Sequence, residues 1–184
     1  RKALSSADLQ TLLNSITRFD VRSVATICAL AGLRTTEALR LKENAIDWVA
    51  GTIRITGETK NVQSQRIIPV IPAVLDALRE AIDAGPRDFR GLIFVTSQAN
   101  PWKPSSWTKV TRKEIDTVHR ATGNPAFNGY QIHWLRATFV SGVRSQGIDD
   151  RLVKRYIGHS IGDTMAKHYE HLRPEHFASV IQAI

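Results

Sequence analysis

Apolar residues recur at separations of three and four along most of the chain, a pattern that predicts a largely helical protein. Residues 5–18 (SSADLQTLLNSITR) put Leu9, Leu12, Leu13 and Ile16 on one face, behind a capping Ser5 or Ser6. Residues 21–31 are apolar enough for a mostly buried helix, and Gly32 marks its end. Pro72 opens a helix through IPAVLDALREAIDA with Val74, Leu75, Leu78 and Ile82 inward, and residues 105–121 predict another. Ile132, Leu135, Phe139 and Val143 mark the buried face of a helix that ends near Gly147. Asp149 then caps residues 150–157, and Gly158 closes them. Pro174 and Glu175 begin a last short helix with Phe177, Val180, Ile181 and Ile184 on one side.

Period-two alternation marks a different element. TIRIT and RIIPV, joined by the polar GETKNVQSQ, predict a hairpin over residues 52–70. A short apolar run at 92–95 predicts one more strand ahead of a Pro-rich loop. The expected class is therefore α+β, mainly helical, with a small antiparallel sheet or hairpin at one edge.

The 184 residues fit one domain with a sizeable core. Lys and Arg outnumber Asp and Glu by 25 to 17, a formal charge of +8 that favours a polyanionic partner and is equally consistent with a merely basic surface. Cys28 has no second cysteine to pair with and lies in the apolar run VATICALAGL, which reads as a core thiol in a reducing compartment. No stretch of 18 apolar residues and no signal peptide is found, so a soluble, cytoplasmic protein with no membrane association is expected. The chain starts at Arg1 without an initiator Met, as a fragment or processed form would.

Candidate chemistry gathers in residues 131–171, where His133, Arg136, His159 and Tyr169 stand close in sequence. Three of them donate hydrogen bonds to anionic oxygens, and the fourth carries a hydroxyl that can act as a nucleophile. His133 and Arg136, three apart on one helix, leave the same face. Upstream, GLRTTEALRL places Arg34 where a buried helix ends, and its planar fork suits two phosphate oxygens. An ordinary surface pair of Arg34 with Glu37 accounts for that run equally well. Lys60, just past the first strand of the hairpin, is a mobile-loop lysine or a solvated one. Lys109, Arg112, Lys113 and Arg120 make the helix at 105–121 a candidate for DNA backbone contact, with a solvated face as the alternative. Trp102 and Trp107 either stack on DNA or anchor their own loop. Taken singly, His133, His159 and Tyr169 are each more often structural than catalytic. His119, His168, His171 and His176 receive no role.

The ordered set HWLR, IGHS and HYEHL resembles the second catalytic box of the tyrosine recombinases, the phage integrase family, and GLRTTE resembles the first. The resemblance spans about residues 20–175 and implies that family's catalytic-domain fold over 1–184, without the usual amino-terminal core-binding domain. It implies Arg34, Lys60, His133, Arg136, His159 and the nucleophile Tyr169 as catalytic residues, with Glu37 in support. The reaction implied is strand cleavage and rejoining through a 3′-phosphotyrosyl link, with no metal and no cofactor. The implied partners are double-stranded DNA and three further copies, as a tetramer on DNA from a monomer in isolation. Residues 175–184 then pack either on a neighbouring copy or on their own domain. A type IB topoisomerase, a catalytically silent DNA-binding module and a metal-dependent nuclease are the rivals.

Overall fold

The computed structural model describes residues 2–56, 65–159 and 173–184. Lys60, His168, Tyr169 and His171 lie outside the described residues.

Helix α1, Ser6–Ser15, begins where the Ser5 hydroxyl accepts the Asp8 N–H at 3.1 Å. It ends sooner than the periodicity predicts. The Glu114 carboxylate, reaching in from a distant helix, takes the N–H groups of Thr17 and Arg18 at 2.6 and 3.1 Å and so starts the next helix. That helix, α2 (Phe19–Leu30), buries Val21, Val24, Ala25, Ile27 and Cys28 completely and packs on α4 (Pro72–Ala84) and α6 (Leu135–Ser145). Burial pushes the Cys28 thiol up to about 12, which leaves it a protonated core group at neutral pH.

Short helix α3, Thr35–Leu39, follows, and then a three-stranded antiparallel sheet in the order β1 (Ile46–Asp47), β2 (Thr52–Ile55), β3 (Arg66–Pro69). The predicted hairpin is present, with Ile53 opposite Ile68 and Ile55 opposite Arg66. Strand β1 had no signal of its own, being only two residues long. The strand expected at 92–95 does not form. Leu92 bridges only to Lys42, and Val95 only to Pro101, which has no N–H with which to extend a ladder.

Helix α5, Pro104–Thr122, carries Pro at its first turn and stops at Gly123, whose φ is +65°. Trp107 is buried and meets Trp102 edge-on at 5.3 Å, so the pair anchors its own loop. Helix α7, Asp150–Tyr156, is capped as predicted, the Asp149 carboxylate accepting from Arg151 and Leu152. The final stretch, a tight turn at Pro174–Phe177 and α8 at Ala178–Gln182, folds onto its own chain. Phe177 is buried against Tyr156, ring centroids 5.3 Å apart, and Val180 is buried with it, while Ile184 stays exposed. Among the described residues no helix is long and apolar enough to cross a membrane.

Candidate active site

Three arginines from three separate parts of the sequence converge on one carboxylate, Glu37. Glu37 is the third residue of α3, where it accepts the backbone N–H of Arg34 at 2.8 Å and so caps its own helix. The same carboxylate takes Arg34 Nη1 at 2.7 Å and both terminal nitrogens of Arg66 at 3.2 and 3.1 Å, and it lies 3.7 Å from Arg136 Nη1. Its side chain is only 5% exposed. Burial pushes the Glu37 carboxyl up, but the Arg66 hydrogen bonds and charge, joined by Arg34, outweigh it and hold the group below its ordinary range. The sequence permitted an ordinary surface pair between Arg34 and Glu37. The pair forms, and it sits at the centre of a buried cluster.

The last carbonyls of α7 complete the arrangement. Tyr156 O accepts Arg66 Nε at 2.7 Å, Ile157 O accepts Arg136 Nη2 at 2.8 Å, and Gly158 O accepts Arg34 Nη2 at 3.2 Å. Three consecutive carbonyls at the negative end of a helix thus each hold a different guanidinium. Arg136 also donates to Gly32 O at 2.6 Å. Two glycines make the approach possible. A Cβ on Gly32, φ +62°, would meet the Phe139 ring at 2.5 Å, and one on Gly158, φ +68°, would meet Arg66 Nη1 at 2.6 Å.

The three cations differ in access to solvent. Arg66 is 4% exposed, Arg136 12% and Arg34 38%. Burial, and then the charge of Arg34, push Arg136 down to about 10 despite the pull of Glu37, which leaves it cationic at neutral pH. One negative charge among three positive ones leaves a surplus of positive charge that opens toward solvent through Arg34. Such a site attracts an anion with several oxygens.

His133 and Arg136 do not share an α-helix as expected. Trp134 N–H bonds to Gln131 O at 2.8 Å, so Ile132–Trp134 is a tighter three-residue turn and α6 starts only at Leu135. His133 is exposed and lines a cleft of about 380 Å³ shared with Thr35 and Thr36 of α3 and Trp107 and Arg112 of α5. His159 is exposed on the turn after α7, where its N–H bonds to Lys154 O at 2.9 Å. The exposed Lys109, Arg112, Lys113 and Arg120 line one strip of α5, and Arg112 borders both that strip and the cleft. Arg34, Glu37 and Arg136 are therefore brought together, and His133 and His159 stand on loops beside elements that hold them.

Sequence reasoning missed Arg66. Its signal was present: in RIIP the arginine falls in phase with Ile68, on the face whose residues are buried. An arginine on the inward face of a strand needs a buried partner, and Glu37 is that partner.

Chain order, site and fold together define a family. The chain matches the model of the phage integrase family over residues 2–176 and belongs to that family. The tyrosine recombinase XerC of Chlorobaculum tepidum is 28% identical over 159 residues, covering 79% of this chain and 44% of that protein. XerA of Thermococcus kodakarensis is 24% identical over 161 residues, covering 86% of this chain and 54% of that protein. The chain thus spans about half the length of these curated relatives. Among solved structures, a XerA recombinase superimposes with a TM-score of 0.71 at 20% identity, covering 99% of this chain and 61% of that one. The Tn1549 transposon integrase in complex with circular intermediate DNA gives 0.77 at 16% identity, covering 95% and 62%. The lambda integrase catalytic core gives 0.62 at 16% identity, covering 87% of this chain and 96% of that one. The fold is that of the tyrosine recombinase catalytic domain.

Proposed function

We propose that this chain is the catalytic domain of a site-specific recombinase that cuts and rejoins double-stranded DNA through a 3′-phosphotyrosyl intermediate. The observation that carries the reading is the convergence of Arg34 and Arg136 on Glu37 and the end of α7. Tyr169 attacks the scissile phosphorus and expels the 5′-oxygen, keeping the bond energy for rejoining. Arg34 and Arg136 stabilise the charge that builds on the non-bridging oxygens, and His159 adds a hydrogen bond to one of them. His133 assists proton transfer at the attacking hydroxyl, and Lys60 protonates the leaving oxygen. Two fixed guanidiniums do at the phosphate what a metal ion does in many phosphoryl-transfer sites.

The choice of nucleophile has a second support. The chain has three tyrosines. Tyr130 is buried, its hydroxyl pushed up to about 12 by that burial, and the buried Tyr156 donates to Pro69 O at 2.8 Å with its hydroxyl pushed higher still. Neither can reach a DNA strand. Tyr169 is the one that remains.

DNA runs along the basic strip of α5 and past Arg112 to the cleft beside His133, and four copies assemble on two sites from monomers. The reaction takes place in the cytoplasm. A duplex nicked beside the cleavage site tests the reading, because the cut fragment diffuses away and strands the covalent product. An adduct that survives denaturation and forms with divalent ions chelated is expected; its absence would make the chain a silent DNA-binding module. Exchange between two sites, set beside relaxation of a one-site plasmid, separates recombinase from topoisomerase.

A further inference from the structure

We propose that Arg66 is a positioning residue for strand cleavage: it satisfies Glu37 so that Arg34 and Arg136 stay available to the scissile phosphate and aimed at it. The inference rests on the strand-cleavage reading above and adds to it a residue that does not touch the substrate.

Stability alone does not call for a charge at this place. Arg66 faces inward beside Ile68 and opposite Ile55, both buried, so an apolar residue would extend the core there. A buried ion pair is no better for stability than well-packed apolar groups of the same volume, because both ions give up their hydration. What Arg66 supplies is direction. Its two terminal nitrogens take one oxygen each of Glu37, and its Nε takes Tyr156 O at 2.7 Å. One planar group thereby fixes the carboxylate that holds Arg34 and the helix end from which Gly158 and His159 leave. Gly158 has no Cβ where the Arg66 guanidinium passes, so the close approach is built into the turn.

Charge follows the same logic. With Arg66 in place, the negative charge of Glu37 is matched by a cation that solvent and DNA cannot reach. Without it, the carboxylate would draw on Arg136, already 3.7 Å away, and on Arg34 at 2.7 Å. Both would be held more tightly to Glu37 and less available to a phosphate. Arg66 also stands on β3 six positions after Lys60, so the strand that follows that lysine is pinned to the same cluster.

The test compares Arg66→Met with the unmodified protein at saturating DNA, on two nicked duplexes that differ only at the scissile group. One carries the phosphodiester and the other a methylphosphonate, which has no negative non-bridging oxygen. On the phosphodiester, the rate of adduct formation is expected to fall about 100-fold, the effect of a catalytic group displaced by about 1 Å, with DNA affinity little changed. On the methylphosphonate the deficit should largely vanish, since no anionic oxygen remains for the guanidiniums to offset. Should Arg66→Met not fold, Arg66→Lys carries the same comparison, because an ammonium cannot grip both Glu37 oxygens and the Tyr156 carbonyl at once. Equal deficits on both substrates would make Arg66 merely structural and overturn the proposal, as would no deficit on either. Failure of the unmodified protein to form any adduct would instead overturn the strand-cleavage reading itself.

Discussion

Arg66 meets Glu37 across two hydrogen bonds of 3.2 and 3.1 Å, and the side chains are 4% and 5% exposed. Removing one member of such a buried pair leaves the other uncompensated. Glu37→Gln should therefore destabilise the fold by on the order of 3 kcal/mol, read as a shift in the urea midpoint.

The same carboxyl sets a dependence on pH. Its folded pKa lies below the ordinary value of 4.5, so the unfolded chain binds the proton more readily. The stabilisation is therefore complete above about pH 4.5 and is lost as pH falls through the lower folded value. Melting temperatures measured between pH 7 and pH 3 should fall at the acid end, and Glu37→Gln should flatten that fall. An unchanged acid limb in the variant would contradict the assignment.

Arg34 and Arg136 should separate in their effects. Arg34, 38% exposed, contributes little to packing, so Arg34→Ala should slow cleavage about 100- to 1,000-fold with a small change in stability. Arg136 ties Gly32 O to Ile157 O, so Arg136→Ala should lose both activity and thermal stability. Single-turnover cleavage beside a thermal melt reads the two effects.

Glu114 lies away from the arginine cluster and gives a contrast. One of its oxygens accepts from Thr17 N, Thr17 Oγ1 and Arg18 N at the start of α2. Glu114→Ala should cost about 2 kcal/mol, since the donors are left without their charged acceptor. For a chain of this size that lowers the melting temperature by about 4–8 °C. The cleavage rate of the folded variant should not change.

The basic strip of α5 predicts a salt effect. If Lys109 and Lys113 lie against DNA phosphates, replacing each by Gln should reduce the slope of log affinity against log salt by about 1. A slope unchanged in the double variant would assign the strip to solvent.

Much of the fold was legible because its punctuation is chemical. Gly32, Gly158 and Asp149 end and begin helices for reasons readable in the sequence, and they also bound the site. Arg34 could be named because it follows such a boundary, whereas Glu37 and Arg136 were named through the resemblance of GLRTTE and HWLR and, for Arg136, its spacing of three from His133. Distances in sequence hid the rest. Glu114 shortens α1 from almost a hundred residues away, and the tight turn at Ile132–Trp134 has the same apolar spacing as an α-helix. The run at 92–95 looked like a strand, although its neighbours offer only isolated bridges. Arg66 was passed over because an arginine beside apolar residues reads as an exposed strand position until its phase is followed.

Everything turns on whether Tyr169 becomes joined to DNA. Trapping the adduct on a nicked duplex and mapping the DNA-linked peptide by mass spectrometry, with Tyr169→Phe and Tyr130→Phe alongside, answers this. The link should fall on Tyr169, persist in Tyr130→Phe and disappear in Tyr169→Phe while that variant still binds DNA. A covalent adduct formed by Tyr169→Phe, or a link mapped to any other residue, would contradict the assignment.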